Sequence, residues 1–210
     1  HGVIETPCFM PVGTQGTVKA VLPRDLHELG CQILLGNTYH LYLRPGHERI
    51  RELGGLHRFM NWPGPILTDS GGYQVFSLGG MRKITEDGAR FQSHIDGSSH
   101  LLTPEKAVEI QEALGSDIAM VLDECIPHDA ARSYVRESTE RTIRWAERCW
   151  NARLRPEQLM FGIVQGGMFE DLRRSCVDAL AAMDFDGFAV GGLGVGEGEK
   201  KLTAVGDYFG

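Results

Sequence analysis

The chain repeats one unit: a short apolar run that breaks off into a carboxylate, an amide or glycines, followed by a stretch of helical period. Ile33-Leu34-Leu35 runs into Gly36-Asn37-Thr38, and Pro65-Ile66-Leu67 into Thr68-Asp69-Ser70-Gly71-Gly72. Ile118–Leu122 leads to Asp123-Glu124-Cys125, Met160–Val164 to Gln165-Gly166-Gly167, and Gly187–Val190 to Gly191-Gly192-Leu193. Cys8–Gly13 reads as a first strand, weakened by Pro11. Short runs apolar on both faces are strands of a parallel sheet covered by helices. Strands that end in polar or bare backbone groups fit a barrel whose site lies at its carboxyl rim. The expected fold class is therefore α/β, a (β/α)8 TIM barrel that is incomplete, with about six βα units in residues 1–210. A doubly wound sheet can stop at six strands, but no G-x-G-x-x-G follows the first one.

The intervening stretches carry helix signals. Leu22–Gly30 has Pro23 just inside its start and Gly30 just past its end, and His47–Leu53 is closed by Gly54-Gly55. Thr103-Pro104-Glu105 supplies an N-cap, a first-turn proline and an acid; Ala107, Ile110 and Leu114 form the apolar stripe and Gly115 the stop. Ser133–Trp150 is a long helix, and Leu172, Cys176, Leu180 and Met183 mark another. Residues 83–102 change period, with Asp87-Gly88 and Asp96-Gly97 as turns, so a small β-hairpin insertion is expected after the third strand. Residues 1–210 read as one domain without an internal linker.

Composition excludes more than it selects. Hydrophobic residues at 42% and charged residues at 23% are ordinary for a globular protein. No apolar run approaches the roughly 18–20 residues of a membrane span. The formal charge of −7 gives no electrostatic sign of nucleic-acid binding. The five cysteines, 8, 31, 125, 149 and 176, include no C-x-x-C pair, so neither a disulfide framework nor a zinc knuckle is encoded, and reduced thiols in the cytoplasm are expected. The eight histidines show no metal-ligand spacing and read as surface or hydrogen-bonded residues. Arg132, Arg136, Arg141, Arg144 and Arg148 line the long helix; with Glu137, Glu140 and Glu147 interleaved, they read as a solvated, salt-bridged face rather than an RNA patch.

Brought together, the strand ends define a pocket for a heterocycle. Asp123 can accept two hydrogen bonds from an N–H and an adjacent amino group, while Gln165 and the N–H groups around Gly192 and Leu193 can donate to a carbonyl. That pattern complements the edge of guanine. Tyr73 can stack on a base, worth roughly 1–3 kcal/mol. Gly71 and Gly72 let a flat ligand approach the backbone, and Asp69 is left over for acid–base or nucleophilic work. The same residues also read as an N-cap and a turn, and Cys125, with no evident His partner, as a pocket-lining thiol.

Beyond pattern, the stretches His1–Pro7, Phe9–Lys19, Leu35–Leu41, Thr68–Phe76, Leu122–Cys125, Gly162–Gly167 and Ala189–Leu193 resemble the bacterial tRNA-guanine transglycosylases, or queuine tRNA-ribosyltransferases, in order along the chain. The resemblance implies a barrel that exchanges guanine at the tRNA wobble position for 7-aminomethyl-7-deazaguanine (preQ1), through a ribosyl-aspartate intermediate. It implies Asp69 as the general acid/base, Asp123, Gln165 and Gly192 as base-edge readers and Tyr73 as the stacking residue. Ser70, Gly71, Gly72 and Leu193 complete the substrate-binding set, with Cys125 and Val195 as the form of the pocket suited to preQ1. Partners implied are tRNA, guanine and preQ1, in a cytoplasmic homodimer.

The family's nucleophilic aspartate and its Cys-x-Cys-x-x-Cys…His zinc site lie further along than residue 210, so zinc is expected only in a longer protein, with no metal ligand in this sequence. The chain is accordingly expected to be a fragment, with an exposed barrel edge and without the full exchange activity. Two other readings stay open: a non-catalytic partner subunit of a transglycosylase, and an unrelated barrel hydrolase using Asp69 and Asp123 as a carboxylate pair.

Overall fold

The computed structural model describes residues 1–78 and 82–194, together with Thr203 and Val205. The first half runs β1 (Val12–Gly13), α1 (Pro23–Glu28), β2 (Leu34–Gly36), α2 (Thr38–Leu43), α3 (His47–Glu52), α4 (Leu56–Met60), β3 (Ile66–Thr68) and α5 (Gly72–Leu78). It continues β4 (Arg82–Ile84), β5 (Ala89–Gln92), β6 (Ser99–Leu102), α6 (Pro104–Leu114), β7 (Ile118–Met120), α7 (Arg132–Ala152), β8 (Leu159–Val164), α8 (Glu170–Ala181) and β9 (Gly187–Val190).

Six strands form one parallel sheet in the order β1-β2-β3-β7-β8-β9, each beside its predecessor in this series. All six carboxyl ends therefore share one rim. Among the described residues β1 and β9 pair on one side only, and Val12, Phe188 and Val190 stand exposed there. Two strands, β1 and β7, are shorter than the apolar runs that announce them. β7 ends at Met120, and the chain to Ala131 is irregular but almost wholly buried as far as Ile126, so hydrophobicity there reports burial rather than ladder pairing.

The insertion is larger than the hairpin expected from sequence. β4, β5 and β6 make a three-stranded antiparallel sheet, because the segment before the first Asp-Gly turn pairs as fully as the one after the second. Three short helices, α2, α4 and α5, also lack an obvious sequence signal: each has five to seven residues, too few for a periodic stripe.

The helix α6 forms where its signals place it. Thr103 Oγ1 accepts from the Lys106 N–H at 3.1 Å, Pro104 opens the first turn, and Gly115 closes it at φ +71°. Its Gln111, fully buried, ties the layers together. The side-chain oxygen accepts from the Met120 N–H at 2.8 Å and the Thr68 hydroxyl at 3.0 Å, and Nε2 donates to the Met120 carbonyl at 2.9 Å. One amide thus fixes β3 and β7 against α6, two strands whose ends carry the carboxylates discussed below.

The arginines of α7 form the expected salt-bridged face, with Arg132, Arg136 and Arg144 exposed, but several of their acids come from other elements. Arg132 pairs with Asp171, Arg144 with Glu86 and Arg148 with Glu105. Arg141 departs furthest from the expectation: it is buried, and pairs with Glu124 as well as with Glu137 one turn away.

Candidate active site

Asp69 emerges at the end of β3 beside the end of β2. Its N–H donates to the Gly36 carbonyl at 3.2 Å, which sets the carboxylate against Asn37 and Thr38. Oδ1 accepts from the Thr38 backbone N–H at 2.8 Å, and Oδ2 from the side-chain amide of Asn37. Burial raises the Asp69 carboxyl from 3.8 to about 6, against the downward pull of those donors and of Gln74 and the Gly71 N–H. An acid with that value exchanges a proton near neutral pH.

Asp123 is held differently. Ser70 Oγ donates to Oδ1 at 3.0 Å and Gln165 Nε2 to Oδ2 at 2.7 Å, both from buried side chains. Burial raises this carboxyl too, the donors from Gln165 and Ser70 opposing it. Gly72 makes the packing possible: a Cβ there would fall 2.5 Å from the Asp123 carbonyl oxygen and 2.9 Å from Oδ1. Only a glycine lets the first turn of α5 lie against the loop after β7.

That loop is locked from behind. Glu124, buried next to Asp123, pairs with Arg141, accepts from the Tyr134 hydroxyl at 2.5 Å, and its N–H donates to Thr142 Oγ1 at 3.1 Å. Arg173, also buried, donates to the carbonyls of Gly167 at 2.7 Å and Gly191 at 3.1 Å, pinning the ends of β8 and β9.

These ends surround a cavity of about 360 Å³. Asp69, Ser70, Gly71, Tyr73, Asp123, Cys125, Gly192 and Leu193 line it, with Met10, Leu67, Met120 and Ile163 among its apolar walls. Tyr73 is 48% exposed, and so free to meet a ligand. Gly72 instead faces a second cavity, of about 390 Å³, which shares Asp123 and Cys125 with the first. Gln165 does not reach the lining: its Nε2 is engaged by Asp123, and its Oε1 lies buried without a hydrogen bond, 2.7 Å from where a Cβ on Gly192 would sit. Val195 lies outside the described residues.

The thiol of Cys125 is pushed up to about 12 by burial and then by the charge of Asp123, so it is a protonated wall and not a thiolate nucleophile. All five cysteines are free, three of them buried, and none is spaced to build a Cys-x-Cys-x-x-Cys zinc site. The zinc implied by the resemblance does not fit the residues present. Asn37, Thr38, Glu124 and Arg173 had no assigned role from sequence. Asn37-Thr38 carried the usable signal, since it ends a strand just as Asp69-Ser70 does.

The family model described as queuine tRNA-ribosyltransferase matches residues 1–209. The chain belongs to this family. Curated proteins named queuine tRNA-ribosyltransferase are 60% identical over 208 residues in Pelotomaculum thermopropionicum, covering 99% of this chain and 56% of the relative. In Solidesulfovibrio magneticus the figures are 61% over 207 residues, with 98% and 56% covered; in Desulforamulus reducens, 58% over 205, with 98% and 55%. The chain thus spans about half the length of the curated relatives it matches.

Proposed function

We propose that the chain forms the base-recognising part of a tRNA-guanine transglycosylase barrel, which exchanges the wobble guanine of tRNA for preQ1. The observation that carries this reading is the convergence of Asp69, Asp123 and the Gly192-Leu193 backbone on one cavity at the carboxyl rim of a parallel sheet. Asp123 accepts from the N–H and amino group of the purine edge, and the Gly192 and Leu193 N–H groups meet its carbonyl. Tyr73 covers the ring face from the cavity mouth.

Gln165 joins the readers by exchange. Its amide now occupies Asp123, so an incoming base takes over that acceptor, and the freed N–H2 turns to the base carbonyl. Asp69, with its carboxyl near 6, gives a proton to the leaving purine and takes one from the incoming base. The target nucleotide must leave its stack for its base edge to reach Asp123 inside this cavity. Barrel closure at β1 and β9, attack by an aspartate to form the ribosyl intermediate, zinc, homodimer formation and a cytoplasmic setting are proposed only of the whole-length protein. No helix among the described residues is long and apolar enough to cross a membrane.

Calorimetric titration of guanine and preQ1 tests the pocket. Both should bind saturably, and Asp123→Asn should weaken each by tenfold or more, since a hydrogen bond to a charged acceptor is worth about 1.5–3 kcal/mol. Equal binding by wild type and D123N would overturn the assignment.

A further inference from the structure

A second group of ligand-type side chains lies between α3 and α6 and shares no residue with the Asp69 cavity. His47, at the start of α3, is 8% exposed, and its Nε2 is buried without a hydrogen bond. Two carboxylate oxygens from different helices face that nitrogen: Glu48 Oε1 at 3.5 Å and Glu109 Oε1 at 3.7 Å. An imidazole nitrogen buried without a hydrogen bond, with two carboxylate oxygens just beyond bonding distance, is an arrangement that a shared cation satisfies.

We propose that His47, Glu48 and Glu109 form a site for a zinc-type divalent cation that links α3 to α6. The spacing supports it: bonds of about 2.0–2.1 Å to a tetrahedral ion place ligand atoms about 3.3 Å apart, so each carboxylate oxygen need approach the imidazole nitrogen by only a few tenths of an ångström, and the three ligand atoms already lie within 4.8 Å of one another. One imidazole nitrogen with two carboxylate oxygens suits zinc better than magnesium or calcium, which take all-oxygen shells of six or more. Glu48 and Glu109 are half-exposed, which leaves the fourth position to water. Two tethered cations now compete for the same acids: Lys106 Nζ sits 2.6 Å from Glu109 Oε1, and Arg51 pairs with the other oxygen of Glu48.

A comparable cluster shows the difference. His1, His57 and Asp117 also converge, but Asp117 already bonds His1 Nδ1 at 2.5 Å and His57 Nε2 at 2.9 Å. The two rings there stack at 3.6 Å and 18°, so their lone pairs lie in nearly parallel planes and cannot meet at one ion.

Zinc titration of the 210-residue chain by calorimetry, with cobalt absorption as a report of tetrahedral geometry, tests the site. One ion per chain should bind. Glu109→Gln, an isosteric change on a half-exposed side chain, should weaken it by roughly tenfold or more, because even outer-shell losses cost 10–100-fold. His47→Ala should do the same, while Lys106→Met should tighten binding by removing the competing ammonium. Absence of a bound ion, or an affinity that E109Q and K106M both leave unchanged, overturns the proposal.

Discussion

Replacing Asp69 by asparagine should stabilise the fold even as it removes the acid. Folding raises this carboxyl from 3.8 to about 6, a difference that corresponds to about 3 kcal/mol against the charged form. Between those values the folded chain holds a proton that the unfolded chain has released. Stability therefore rises as pH falls through about 6, and the full penalty is felt above it. Asp69 lines an open cavity and is only partly shielded from water, so solvent relieves some of the penalty. We expect D69N to gain between about 1 and 3 kcal/mol at about pH 7.5. The asparagine oxygen keeps the Thr38 N–H bond, and Asn37 can turn its own amide to accept from the new side chain. Urea unfolding followed by the buried indoles of Trp62 and Trp145 gives the stabilities. At about pH 5 the advantage should shrink to roughly half, since the wild-type carboxyl is then largely protonated in the fold. A D69N chain less stable than wild type at pH 7.5, or an advantage independent of pH, would refute the reasoning.

The buried Glu124–Arg141 pair gives a second test: Arg141→Met strands a carboxylate beside Asp123 and should cost about 3 kcal/mol, the low end for a broken buried pair because the Tyr134 hydroxyl remains. Adding Glu124→Gln should recover more than half of that in a double-mutant cycle, and a single-variant loss below about 1 kcal/mol would place the pair in contact with solvent. Iodoacetamide should label exposed Cys8 in the native chain and reach Cys125 only on unfolding, because burial holds that thiol near 12. Equal labelling of the two, read by peptide mass mapping, would contradict the buried placement of Cys125.

What the sequence disclosed was the rim. Each apolar run with a polar end contributes a strand of the parallel sheet, with the candidate site residues beyond its carboxyl end, since a parallel sheet presents one rim of carboxyl ends. It could not disclose the supports. Arg141 looks like one arginine among several on an exposed stripe, and its burial depends on Glu124 arriving from a loop seventeen positions earlier. His47 and Glu109 lie on separate helices, so no local spacing marks them as neighbours. Gln165 was legible as a donor but not as one already engaged, because its partner sits 42 positions away.

The two carboxylates of the cavity differ in what surrounds them, and that divides their work. Both donors on Asp123 are side chains, Ser70 and Gln165, which can rotate away and yield to a ligand's N–H groups. Asp123 is therefore suited to reading a base edge, with its own partners as stand-ins for the base. Asp69 takes one donor from the backbone of Thr38, the first residue of α2, which cannot rotate away as a side chain can. Its other oxygen accepts from the Asn37 side chain, and burial holds the carboxyl near the value where proton exchange is easiest. Under the proposed function, acid and reader are thus distinguished by one fixed backbone donor on Asp69 that Asp123 lacks.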